Sequence, residues 1–138
     1  GGWSSLVLQS RYPEKIIGTI AFNPAFAGPK KEWQKKYPEW GAFREDSVNK
    51  FNKADTINAI VFAHKDDVFE DPKTLSFFAN FKGMRLIDYS ELKPTKCTWA
   101  DVDKKMPSNK GHNIPQSKCF TKYLEEKNYL ISFLENTL

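Results

Sequence analysis

Asp66 and Asp67 come just after the most apolar run of the chain, residues 57–63, beyond His64 and Lys65, and His112 follows Gly111 in a polar stretch ahead of the last helical pattern. A carboxylate and an imidazole at the ends of neighbouring strands can meet. The acid then orients the ring and stabilises it once it has taken a proton. Asp66 and Asp67 are both candidates for that acid. His64 ends the same apolar run and reads as a strand-end structural histidine or a neighbour of the site. That pair by itself lacks a nucleophile. Two cysteines and two histidines without zinc spacing predict no metal site, and no residue pattern calls for a cofactor. Cys97 and Cys119 are either two unrelated buried thiols or one disulfide closing a loop around His112. The bridge would imply a periplasmic or secreted protein, and free thiols a cytoplasmic one.

The elements that must carry these residues follow from the apolar pattern. Residues 3–11 lack helix breakers and predict a buried helix that stops before Pro13. The Gly1-Gly2 ahead of it suits a close backbone approach. Residues 16–22 predict a short strand ended by Asn23-Pro24, and residues 57–63 a strand covered on both faces. Asp71-Pro72 opens a helix with Asp71 as N-cap, ended at Gly83, and residues 84–89 form a third strand. The chain closes with a helix over about 121–136. Strands alternating with helices imply an α/β class with a parallel sheet and flanking helices. Ligands bind such sheets at the carboxyl ends of the strands. Three segments fall there: Asn23-Pro24-Ala25-Phe26, His64-Lys65-Asp66-Asp67, and Gly111-His112-Asn113.

A chain of 138 residues carries one domain, 1–138. Residues 28–56 form a lid-like, partly helical excursion, with a short helix near 45–53. Its aromatics Trp33, Tyr37 and Trp40, with Phe26 before them, are candidates for a substrate-pocket wall. Residues 90–119 form a long loop carrying the candidate histidine. With 40% hydrophobic and 14% aromatic residues, disorder is not expected. The apolar runs are too short to span a membrane, and no charged-then-apolar leader is expected. A net charge of +4 is too mild to point to nucleic acid as a partner. Oligomeric state is left open.

Joint order and spacing then resemble the α/β-hydrolase superfamily, of the dienelactone-hydrolase-like or serine-esterase kind. Gly1-Gly2-Trp3-Ser4-Ser5-Leu6 is similar to the segment just after the nucleophile in a G-x-S-x-G-G elbow. Ile57–Ala63 followed by Asp66 resembles the strand that carries the family's acid. Gly111-His112 resembles its G-H, and the end of the chain its terminal helix. The resemblance implies that residues 1–138 are the C-terminal part of an α/β-hydrolase fold. It implies a Ser-Asp-His triad cleaving an ester, lactone or similar acyl bond of a small molecule. The serine would lie two residues before Gly1, with Gly1 and Gly2 in the elbow. A catalytically inactive binding or interaction module of the same fold is the alternative.

Overall fold

The structure, a computed structural model, describes residues 1–25, 35–93 and 110–138. Three parallel strands form one sheet in the order β1-β2-β3: β1 (Thr19–Phe22), β2 (Ala59–Ala63) and β3 (Met84–Asp88). Ile20 pairs with Ile60 and Val61 with Leu86. Every residue of the central strand is buried, and its side chains divide by the two-residue period of a strand. Ala59, Val61 and Ala63 join a core with Trp3, Leu6, Phe51, Leu75 and Phe78 on one face. Ile60 and Phe62 join Tyr89, Ile114, Phe120, Tyr123 and Phe133 on the other. A parallel sheet covered on both faces is therefore observed, as the alternation of elements predicts.

Helix α1 (Gly2–Arg11) and helix α2 (Pro38–Asn52) cover the first face. Pro38 does not interrupt a helix. It starts one, at the first-turn position where its missing N–H costs nothing. The helix expected near 45–53 is thus longer and begins earlier. Asp71 caps a turn and not the helix expected to open there, its Oδ1 accepting from the Thr74 N–H at 2.7 Å. The element after this cap is a 3-10 helix, Ser76–Asn80, and not an α-helix. Leu75, Phe78 and Phe81 all reach the core, and a spacing of three residues matches the 3-10 period, not 3.6. Gly83, at φ +84, then turns the chain into β3.

Two helices cover the second face, where one was expected. Preceding them is a single helical turn, α3 (Lys110–Asn113), followed by a 3-10 turn, Ile114–Gln116. The Ser117 hydroxyl then accepts from the Phe120 N–H to start α4 (Lys118–Lys127). Asn128 adopts a left-handed conformation, φ 53, and separates α4 from α5 (Tyr129–Glu135). Asn tolerates this region better than other residues with a Cβ. The break lets Tyr129 and Phe133 join the same core as Phe120 and Tyr123. Among the described residues, no helix is long and apolar enough to cross a membrane.

Candidate active site

Parallel strands deliver three segments to one edge of the sheet. Asn23 follows β1, His64 to Asp67 follow β2, and Tyr89-Ser90 follow β3. Backbone bonds extend the ladder into this edge, from the Asn23 N–H to the Phe62 carbonyl (2.8 Å) and from the Tyr89 N–H to the Ala63 carbonyl (3.1 Å). The Lys65 N–H donates to the Ser90 hydroxyl at 2.9 Å, tying the β2 and β3 ends together.

His112 Nδ1 lies 2.8 Å from Asp67 Oδ2. The Asp67 side chain is fully buried and the His112 side chain is 30% exposed. An ionised carboxylate only accepts, so Nδ1 carries the proton. Nε2 is then the ring's basic atom, and among the described residues nothing hydrogen-bonds to it. Asp67 Oδ1 accepts from the Phe69 N–H at 2.8 Å, which fixes the carboxylate within its own turn. The Phe69 ring stands edge-on to the imidazole, centroids 4.9 Å apart. This arrangement can accept a proton at Nε2 while a buried negative charge stabilises the cation formed.

The acid facing His112 is therefore Asp67, and the expected Asp66–His112 pair is not made. Asp66 is half-exposed, with Oδ2 3.9 Å from His64 Nδ1. Its backbone serves the site instead. The Asp66 N–H donates to His64 Nδ1 at 3.0 Å. His64 Nε2 must then be the donor, to the Leu92 carbonyl at 2.7 Å. Fully buried and with both nitrogens engaged, His64 shapes the turn and has no atom to offer a substrate.

The turn of α3 is pressed against the acid's backbone. A Cβ on Gly111 would meet Asp66 C at 2.1 Å, Asp66 O at 2.2 Å and Asp67 N at 2.4 Å. Only glycine allows His112 to follow at this depth. From the other side, the buried Asn23 carboxamide donates to the carbonyls of both Gly111 and His112, at 3.1 Å each. Its oxygen accepts from the Tyr89 hydroxyl at 2.8 Å. Burial holds the Tyr89 hydroxyl well above its ordinary range, so it stays a donor. Asn23 itself sits at φ 44, where Asn is tolerated. Replacing Asn23 by Asp turns a donor into an oxygen aimed at two carbonyls. Its stability loss in denaturant should exceed that of Tyr89→Phe, expected at about 1–3 kcal/mol for one orphaned buried acceptor.

Gly2 packs against the same corner, where a Cβ would lie 3.2 Å from the Pro24 Cβ. The first turn of α1 and the His112 turn therefore flank one dipeptide, Asn23-Pro24. Gly1 is exposed, and its carbonyl accepts from the Ser5 N–H and hydroxyl, which places Ser5 within the first helical turn. Tyr37 and Trp40 stack on each other at the start of α2, centroids 4.2 Å apart, and the ring against His112 is Phe69. Phe26, Trp33 and Cys97 lie outside the described residues, and so does the Cys97–Cys119 bridge. Cys119 packs against the second core. Among the described residues, no three His, Cys, Asp or Glu side chains group as metal ligands would.

Sequence reading placed Asn23 at the strand edge but not its carboxamide under the His112 turn. Phe69, Tyr89 and an ion pair between Arg44 and Glu70 were missed. An asparagine between a strand and a proline was the available signal for Asn23; nothing local marks the others. Compared with protein-family models, curated proteins and solved structures, the chain matches none.

Proposed function

We propose that this chain carries the acid and the base of a serine hydrolase of the α/β-hydrolase fold, acting on an ester, lactone or similar acyl bond. The observation that supports it most is the hydrogen bond from His112 Nδ1 to the buried Asp67, which leaves Nε2 as the basic atom at the carboxyl edge of a parallel sheet. His112 removes the proton of the nucleophile and returns it to the leaving group, and Asp67 holds the imidazolium. Asp67 takes the role for which Asp66 was the first choice.

The nucleophile in this reading is a serine two residues before Gly1, at the tip of an elbow whose helix is α1. The approach of Gly2 to Pro24 favours it, because it brings that tip to the Asn23-Pro24 corner from which the His112 turn is held. The backbone N–H just ahead of Gly1 would then contribute to an oxyanion hole.

In the full protein, a fluorophosphonate probe should label that serine, and p-nitrophenyl acetate should be hydrolysed. His112→Ala should reduce the rate by about 10⁴-fold. Absence of both labelling and turnover, with a residue other than Ser, Cys or Thr at the elbow, would favour the inactive binding module.

A further inference from the structure

Three residues beyond Asp67 the same turn buries a second carboxylate. The Glu70 side chain is fully buried, and the Arg44 side chain from α2 is 15% exposed. The guanidinium meets Glu70 in a two-pronged contact, Nε to Oε1 at 3.1 Å and Nη2 to Oε2 at 3.0 Å. Its faces are also occupied. The Trp3 ring of α1 lies 5.1 Å from Arg44 Cζ and the Phe77 ring of the 3-10 helix 5.7 Å. A planar, delocalised cation suits both contacts at once, where lysine could satisfy neither fully.

Two buried carboxylates on one short turn repel each other, and burial favours the neutral form of Glu70. We propose that Arg44 is a positioning residue for the His112–Asp67 pair. By neutralising Glu70, it leaves Asp67 as the anion of this turn that is available to His112. Helix α2, which sequence reading assigned to a lid-like excursion, is on this account a working part of the site. The catalytic meaning of the inference rests on the proposed hydrolase, whereas the geometry does not.

The groups that face this turn come from several elements. Arg44 approaches from α2, Thr74 from the turn after Glu70, and Asp67 from the turn itself. His112 approaches from α3, beside the neutral Asn23 and the un-ionised Tyr89. Burial is the largest influence on Glu70 and pushes its carboxyl up; Asp67 pushes the same way, and Arg44 opposes both. Without Arg44 the Glu70 carboxyl moves further up. The penalty for ionising it is then absent at acid pH, where it is protonated, and grows as pH rises above the ordinary carboxylate range.

The test needs no turnover. In the full protein, the low-field proton resonance of a histidine Nδ1–H bonded to a carboxylate reports the His112–Asp67 bond, and His112→Ala assigns it. Arg44→Gln should lose this resonance at pH 8 and unfold at least tenfold more readily. Both losses should shrink as the pH falls toward 5.5. The double variant Arg44→Gln with Glu70→Gln removes the same packing but also the stranded carboxylate, so it should regain the resonance. If Arg44→Gln does not fold, recovery in the double variant still supports the proposal. A double variant without the resonance, or an Arg44→Gln that retains it at pH 8, overturns it. Because both readouts are independent of hydrolysis, a protein that cleaves no ester would sink the functional reading and leave this one standing.

Discussion

Asp67→Asn should abolish nearly all of the proposed ester hydrolysis, with kcat falling about 10⁴-fold, while Asp66→Asn should stay within about threefold. The asparagine would keep the acceptor for the Phe69 N–H, since one side-chain oxygen suffices for that bond. Toward His112 it would present an amide group that donates. The ring must then turn its lone pair to Nδ1 and its proton to Nε2, which is the wrong tautomer for taking a proton from a nucleophile. Fold and stability should change little, so the loss should appear in kcat with a smaller change in KM. Asp66 makes no contact with His112, and its half-exposed carboxylate tolerates the exchange. Steady-state rates of both variants on one activated ester are sufficient. The opposite ranking would return the acid to Asp66 and would require a rearranged turn.

Gly111→Ala is expected to be the most damaging small substitution at the site. The new methyl would sit 2.1 Å from a backbone carbon and 2.2 Å from its oxygen. Neither atom is the yielding end of a flexible side chain, so the α3 turn must lift away from the acid's backbone. Lifting it strains both Asn23 bonds to Gly111 and His112 and lengthens the bond to Asp67. We expect a stability loss of about 3 kcal/mol or more, at the upper end of what overpacking costs. The loss of activity should persist under conditions where the variant is still folded. Denaturant unfolding monitored by fluorescence, with a parallel rate measurement at low denaturant, separates the two. A variant with ordinary stability and ordinary rate would show that the two segments are not in contact.

Both predictions depend on details that local sequence reading cannot supply. Strand β2 was legible because a run in which six of seven residues are apolar, 57–63, has few other ways to be buried. The parallel sheet followed from the alternation of elements; Asp71-Pro72 signalled a cap, which closes a turn here and not a helix. The pairing of Asp67 with His112 was legible only to within one residue. Adjacent carboxylates point different ways after a strand ends, and the deciding fact is the Gly111 contact with their shared peptide. The break at Asn128 was invisible because the apolar stripe continues across it. Arg44 and Glu70 were lost among surface charges, since nothing in a run of polar residues says which acid will be buried. Their pairing is a tertiary fact, made between an excursion and a turn 26 residues apart.

The bonds of Asn23 to the carbonyls of Gly111 and His112 join residues 88 and 89 positions apart, and Asp67 reaches His112 across 45. Closing loops of that length is costly in chain entropy, and the contacts that reward it come late in folding. A nascent chain that has made β1, β2 and β3 has the strand ends but not yet His112 to place on them. The His112–Asp67 bond can therefore form only after synthesis has passed Asn113 and the segment that carries His112 has docked. A polypeptide truncated before Lys110 would retain all three strand segments and would lack His112, so the Asp67–His112 bond reports that this later segment has docked.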